Sequence, residues 1–150
     1  MPDQPIIAGD RLADLGASSQ RGGDGPNLWR TLGFRRTDWS AGATTVEWDA
    51  TEDYGFVTPN GYVIQGGLVT AILDSAMGGA CWTVLNRDEV FLTADLRVEF
   101  FRPTRPGLLR AVGKVVRKST KVVFCAAELF DVEGSTLAAS RCTQVVLAAQ

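Results

Sequence analysis

Residues 62–85 read YVIQGGLVTAILDSAMGGACWTVL, an apolar stretch that is too long for one strand. Small and apolar side chains follow Gly66 and Gly67 on most sides of a helical projection, which predicts a helix that other elements must cover. A membrane span is the rival interpretation, because about 20 apolar residues can cross a bilayer. Asp74, near the middle, would cost about 2.5–3.5 kcal/mol there. We therefore expect a covered helix and no membrane partner.

The elements that could cover this helix follow it in the sequence. Apolar side chains at every second position from Leu92 to Phe100 alternate with polar ones, which is the period of a half-buried strand. Further strands are expected near residues 109–115, 122–131 and 137–147, and an earlier one around Val46 and Trp48. The predicted fold is therefore α+β, an antiparallel sheet wrapped around one long central α-helix.

The chain is expected to form one domain over residues 27–150, preceded by a flexible N-terminal arm over residues 1–26. The arm is rich in Gly, Pro, Asp and Ser and is predicted to hold one helical turn near Arg11 to Leu15. Asn27 is expected to cap a short helix that ends at Gly33. The 150 residues, 45% of them hydrophobic, suffice for a single core.

The composition excludes several kinds of chemistry. A formal net charge of −2 gives no basis for a nucleic-acid partner. The chain has no histidine, which removes Ser–His–Asp and Cys–His mechanisms and His-ligated metal sites. We expect no metal and no cofactor. The three cysteines form no CxxC pair and are predicted to be free core thiols in a reducing cytoplasm. The N-terminus lacks the features of a secretory signal.

Asp74 is the one charged residue between Tyr54 and Asn86. A carboxylate in apolar surroundings is costly unless it is hydrogen-bonded, and proteins use such groups for chemistry. The alternative is that Asp74 lies at a wet edge of the helix or binds a backbone amide. At the helix start, the backbone N–H groups of Gln65, Gly66 and Gly67 could bind a polarised carbonyl.

Gly66 and Asp74 are two helical turns apart, about 12 Å along one helix. Gly66 and Asp74 of the same subunit are therefore too far apart to act together on one carbonyl. A symmetric dimer with antiparallel helices would bring the helix start of one chain to the carboxylate of the other.

The sequence resembles the hotdog-fold acyl-CoA thioesterases, of the phenylacetate-degradation (PaaI-like) and 4-hydroxybenzoyl-CoA type. The resemblance rests on Asn60, Gln65-Gly66-Gly67, Asp74 and the small residues after it, and on Phe101-Arg102-Pro103 followed by Gly107. It covers about residues 29–147.

The resemblance implies that an acyl-CoA is hydrolysed to a free acid and CoA by a homodimer or homotetramer, a dimer of dimers. It implies that the Gly66 N–H polarises the thioester carbonyl, with Gly67 beside the substrate, and that Asp74 from the partner subunit is nucleophile or general base. Asn60 would help to place the carbonyl or the water. Gln65 stands where the family usually has histidine, and an amide cannot take up a proton at neutral pH.

Eight basic residues and one acid lie between Arg97 and Lys121. They are either a solvated sheet face or a docking surface for CoA phosphates, to which we assign Arg102, Arg105, Arg117 and Lys118.

Two other functions also stay open for the chain as a whole. A non-catalytic acyl-CoA-binding or regulatory hotdog module would not need Asp74. A structural dimerisation domain would not explain a lone carboxylate in an apolar helix.

Overall fold

The structure is a computed structural model that describes residues 4–20 and 26–150. The elements, in chain order, are α1 (Arg11–Gln20), α2 (Asn27–Leu32), β1 (Arg35–Ser40), β2 (Ala43–Ala50), β3 (Gly55–Thr58), β4 (Gly61–Ile64), α3 (Gly66–Trp82), β5 (Glu89–Phe100), β6 (Gly107–Lys118), β7 (Val122–Phe130) and β8 (Thr136–Ala148). An antiparallel six-stranded sheet has the order β1-β2-β6-β7-β8-β5, and β3 pairs with β4 in a separate hairpin.

Helix α3 packs along the inner face of this sheet, and the predicted architecture is confirmed. The helix lies close to β6 because Gly113 has no side chain: a Cβ there would lie 2.3 Å from the Ala76 carbonyl oxygen. The same oxygen accepts a hydrogen bond of 2.7 Å from the buried Thr44 hydroxyl. Ile72 and Leu73 of the helix are buried in one hydrophobic core with strand residues such as Val46 and Leu109.

The apolar stretch is not helical throughout. Residues 62–64 belong to strand β4, and the helix begins at Gly66 and ends at Trp82, where Thr83 caps it. Among the residues that the structure describes, no helix has the length and the apolar composition that a membrane span requires.

The predicted alternation along β5 is wrong at Leu92, which is 64% exposed. The pairing of β5 with β8 shifts by one residue between Thr93 and Asp95, which is a β-bulge. Because side chains alternate with period two, one extra residue exchanges the two faces of the strand. Before the bulge Phe91 packs against the core, and after it Leu96 and Val98 do.

The described part of the N-terminal segment contacts the end of α3. The N–H of Gly9 donates to the Thr83 carbonyl at 2.9 Å, and the N–H of Arg11 donates to the Leu85 carbonyl at 3.1 Å. The Arg11 guanidinium lies 4.0 Å from the Trp82 ring centroid, and Leu15 is buried. Helix α1 (Arg11–Gln20) is longer than the single turn predicted near Arg11 to Leu15. Residues 1–3 and 21–25 of the predicted arm lie outside the described residues, and its flexibility stays a prediction.

Helix α2 ends as predicted, at Gly33, whose φ of 84° is the left-handed conformation that suits glycine. Its beginning differs from the prediction. The residue at the cap position is Pro26, and Asn27 is already helical, so its side chain does not cap the helix.

Candidate active site

The start of α3 presents free backbone donors. Gln65 is the N-cap residue, and its side-chain Oε1 accepts from the Leu68 N–H at 3.1 Å. The prediction of three free donors is wrong for Gln65, because its N–H donates to the Tyr54 carbonyl at 3.0 Å. Within residues 4–20 and 26–150, the N–H groups of Gly66 and Gly67 have no hydrogen-bond acceptor. They lie at the positive end of the helix dipole and can bind a partial negative charge. The amide of Gln65 thus organises this helix start by capping it.

An apolar cleft of about 350 Å³ lies against the first of these donors, Gly66. Gly66 forms part of its wall, and a Cβ at that position would lie 3.4 Å from the Phe100 ring. The other lining residues are mostly apolar: Phe56, Val63, Ile64, Val69, Phe100, Phe101, Arg102, Pro103 and Thr104. The cleft therefore offers a hydrophobic surface next to a hydrogen-bond donor, the combination that an acyl group with a polar carbonyl needs.

Asp74 lies two turns further along α3 and is half-buried. Its Oδ1 accepts from the hydroxyl of Thr93 on β5, at 3.3 Å. Burial raises the pKa of Asp74 above its ordinary value, and the Thr93 hydrogen bond opposes that rise. Asp74 is thus a partly desolvated carboxylate that accepts a hydrogen bond from a hydroxyl. The sequence had left a backbone amide open as its partner, and the partner seen here is instead the Thr93 side chain.

Two residues near Asp74 were not predicted from the sequence. Thr93 Oγ1 is also 2.8 Å from Oε1 of the fully buried Gln144, and the Gln144 amide nitrogen is 3.1 Å from the sulfur of Cys142. One hydroxyl proton serves one acceptor at a time, so Gln144 competes with Asp74 for it. The alternation along β5 placed Thr93 on the outer face, and the bulge, which no sequence signal marked, turns it inward.

Asn60 lies at the exposed tip of the β3–β4 hairpin. Its N–H donates to the Thr58 hydroxyl at 3.2 Å, and its carbonyl accepts from the Arg105 guanidinium at 2.9 Å. Asn60 is not among the residues that line the cleft. Within one subunit, the structure does not bring its side chain to Gly66.

The four predicted CoA-binding residues divide between the two ends of α3. Arg102 lines the cleft at the helix start, and Arg105 is close by. Lys118 donates from Nζ to the Val84 carbonyl, just past the end of the helix, and Arg117 is its neighbour in the chain. The four residues do not form one surface within a subunit, and their docking role stays a prediction.

Strand β5 is an edge strand with an exposed apolar surface near the cleft. Among the described strands, it pairs only with β8. Phe100 and Phe101 are each 54% exposed, and Phe56 across the cleft is 53% exposed. Unpaired backbone groups next to exposed aromatic rings are features of a surface that binds another chain.

The sheet wrapped around α3 is a hotdog fold, and its helix-start amides stand beside the cleft. Residues 62–138 match the family model of the Thioesterase superfamily. The chain belongs to that superfamily, and it is a thioester hydrolase.

Similar proteins share most of the chain. The Saccharolobus solfataricus protein named Putative esterase SSO2140 is 29% identical over 108 residues, which are 71% of this chain and 74% of that protein. A phenylacetic acid degradation-related protein from Ralstonia eutropha is 26% identical, with a TM-score of 0.76 over 86% of this chain and 97% of its own. A thioesterase family protein from Silicibacter pomeroyi, 20% identical, has the same fold, with a TM-score of 0.77 over 93% of this chain and 97% of its own.

Proposed function

We propose that this protein hydrolyses an acyl-CoA with a small aromatic or medium-chain acyl group to the free acid and CoA. The observation that carries the proposal is the free N–H group of Gly66 at the wall of an apolar cleft, with the free N–H of Gly67 next to it in the chain. A thioester carbonyl placed there would receive a hydrogen bond from Gly66 while its acyl group lay against the aromatic rings of the cleft.

Asp74 of the partner subunit supplies the carboxylate in this proposal. As general base it takes a proton from water while the water oxygen attacks the carbonyl carbon; the C–S bond then breaks, and the CoA thiolate leaves and is protonated. As nucleophile its oxygen attacks the carbon directly, the C–S bond breaks with loss of the CoA thiolate, and water then hydrolyses the resulting anhydride. A thiolate is a good leaving group, so one donor and one carboxylate suffice for either route.

The two-subunit arrangement follows from the helix. Gly66 and Asp74 of one chain are about 12 Å apart along α3. If the α3 helices of two subunits lay antiparallel, the start of each helix would lie beside Asp74 of the partner subunit. The exposed edge of β5 and the aromatic rings near the cleft support a homodimer. The same arrangement would bring Arg117 and Lys118 of the partner subunit toward Arg102 and Arg105, where all four could contact CoA phosphates.

Four observations support the finer parts of the proposal. The aromatic cleft, and the likeness to a phenylacetic acid degradation-related protein, favour an aromatic acyl group. The free thiols of the three buried cysteines support a reducing compartment such as the cytoplasm. The half-buried Asp74, bound by Thr93, favours hydrolysis over a binding module, which has no use for a desolvated carboxylate.

A panel of aromatic, branched and straight-chain acyl-CoA substrates, with detection of the free thiol, tests the proposal. Asp74→Asn should lower turnover at least about 100-fold, because a positioned acid or base contributes about 10²–10⁴-fold. Its fold should be retained, since the amide is nearly isosteric. An Asp74→Asn enzyme with wild-type turnover would refute the mechanism, and CoA binding without turnover in the wild type would select the binding module. In single-turnover hydrolysis in ¹⁸O-labelled water, label in Asp74 identifies an anhydride that water opens at the Asp74 carbonyl carbon, whereas direct attack by water labels only the product acid.

A further inference from the structure

The Thr93 hydroxyl lies between two acceptors at unequal distances. Its Oγ1 is 2.8 Å from Oε1 of Gln144, a usual length for a hydrogen bond between a hydroxyl and an oxygen. The same Oγ1 is 3.3 Å from Oδ1 of Asp74, which is longer than usual. A hydroxyl has one proton to donate. The distances therefore give Gln144 the larger share of that proton and leave the smaller share to Asp74.

Gln144 is a fixed acceptor because it is buried and both ends of its amide have partners. It lies on β8, directly opposite Thr93 in the register of the sheet, and its side chain is fully buried. Oε1 accepts from the Thr93 hydroxyl, and Nε2 lies 3.1 Å from the sulfur of Cys142. Buried polar atoms that have partners keep their positions, since breaking such a contact leaves a desolvated group unsatisfied.

The thiols beside Gln144 determine which way its amide points. Cys125 is the cross-strand partner of Cys142, and a hydrogen bond from the Cys125 thiol holds the pKa of Cys142 below its usual value. The Cys142 sulfur is thus an acceptor for Cys125, and it accepts a second hydrogen bond from Nε2 of Gln144. Since Nε2 faces this sulfur, the other end of the amide, Oε1, faces Thr93.

Few other polar groups act on Asp74 within a subunit. Burial raises its pKa, and the Thr93 hydrogen bond lowers it. From β8, the titratable group that interacts with Asp74 is Cys142. The charged side chains of the strands packed against α3 alternate with inward-facing ones and lie on the opposite face of the sheet: Glu47, Asp49, Asp95, Arg97, Glu99, Arg110, Lys114, Glu128 and Arg141. The direction in which the Thr93 proton points is therefore a main determinant of how basic Asp74 is.

We propose that Gln144 is a positioning residue for the reaction: it draws the Thr93 proton away from Asp74 and so keeps this carboxylate a stronger base. With the proton on the Gln144 side, the Thr93 oxygen turns a lone pair toward Asp74. Once Asp74 has taken a proton from water, it can donate a hydrogen bond to that oxygen, and every donor from Asp74 to Gln144 then has an acceptor. This role rests on Asp74 being the general base of the proposed function.

Gln144→Met, which removes the acceptor and keeps an unbranched side chain, tests this role. The Thr93 hydroxyl should then donate fully to Asp74, and a hydrogen bond to a charged group changes an ionisation equilibrium about tenfold or more. The pKa of Asp74 should therefore fall by about one unit. NMR titration of protein with ¹³C-labelled aspartate measures this pKa, and the Asp74 signal is identified by its loss in Asp74→Asn. Gln144→Leu is a second variant with the same expected shift, should the methionine variant not fold.

The pH profile of kcat/KM is the second measurement. In Gln144→Met the acidic limb should move to lower pH by the same amount, opposite to its movement in Thr93→Val. On the plateau, kcat/KM should fall, because a weaker base takes a proton less readily. In the double variant the limb should stay where Thr93→Val alone places it, since Gln144 acts only through the hydroxyl. Val123→Ala, which truncates the buried cross-strand neighbour of Gln144 on β7, is the matched control for lost packing and should not move the limb.

Three results would overturn the role of Gln144. The pKa of Asp74 could stay unchanged in the folded Gln144→Met protein, or it could rise, which would mean that the amide donates to Thr93. The shift could also persist in the double variant, which lacks the Thr93 hydroxyl. The NMR titration separates this role from the proposed function, because it needs no substrate. A lower Asp74 pKa without a matching movement of the limb would support the sharing of the hydroxyl and refute Asp74 as the base.

Discussion

Gly113→Ala should displace the helix on which both proposed catalytic groups lie. The new Cβ would lie 2.3 Å and 2.4 Å from the carbonyl oxygen and carbon of Ala76, and 2.9 Å from the nitrogen of Met77. All three atoms belong to the backbone of α3, so no side-chain rotation relieves the clash. The Ala76 oxygen is also held by the Thr44 hydroxyl, which resists the shift.

The magnitude follows from this geometry. Non-bonded carbon contacts are favourable near 3.5 Å, so α3 and β6 must separate by about 1 Å. Overpacking of this kind costs about 1–3 kcal/mol, and each kcal/mol lowers Tm by about 2–4 °C in a domain of this size. We therefore expect Tm to fall by about 2–12 °C. In Gly78→Ala the Cβ meets only a side chain, the Phe91 ring at 3.2 Å, which can relieve the contact by a small shift that leaves the backbone in place. The helix gains about 0.5–1 kcal/mol of propensity.

Thermal unfolding and urea unfolding of the two variants, side by side with the wild type, measure the effect. Gly78→Ala should melt at or above the wild-type temperature. Gly113→Ala should also lose thioesterase activity below its Tm, since the displaced helix carries Gly66 and Asp74. A Gly113→Ala protein that melts with the wild type would refute the close approach of α3 to β6.

Three further predictions concern the site. Thr93→Val removes the hydrogen bond that opposes the raised pKa of Asp74. Since Asp74 acts in its ionised form, the acidic limb of the kcat/KM profile should move to higher pH, and the loss of activity should be largest at low pH. Thr93→Ser, which keeps the hydroxyl, should leave the limb in place. Inactive Asp74→Ala subunits mixed with inactive Gly66→Pro subunits should regain part of the activity, because one site of the mixed dimer then holds an intact donor and an intact carboxylate. Proline at the first helical position removes only the donor N–H. A fully active monomer would contradict the shared site. Replacing Arg102 and Arg105 by alanine should raise KM with kcat nearly unchanged. Thioesters truncated to pantetheine should likewise have a higher KM than full CoA thioesters at low salt. Equal KM values for the pantetheine and CoA thioesters would assign these residues to a solvated face.

The helix start that forms one side of the candidate site was largely predictable from the sequence. Gln65-Gly66-Gly67 before an apolar run predicts a helix start with free donors, and the structure has one at Gly66. The sequence did not indicate what Gln65 does there. Its side chain turns back onto the Leu68 N–H, a contact that depends on the backbone path from β4 into α3.

The surroundings of Asp74 were not predictable, because they depend on one irregularity. A perfect alternation from Leu92 to Phe100 places Thr93 outside, and the bulge reverses this without leaving a distinctive residue pattern. Likewise, Gln144 is more than 50 residues away in the chain and meets Thr93 only through the pairing of β5 with β8.

The sequence by itself determined the elements and their class: a covered helix, strands with period-two patterns and, from the absence of histidine, the exclusion of chemistry based on imidazole. These are local properties, since periodicity and composition are carried by neighbouring residues. Only the tertiary structure decided the bulge at Thr93 and the position of Asn60 at a hairpin tip. Each of these depends on strand register, which is set by contacts between distant segments and changes face with a shift of one residue.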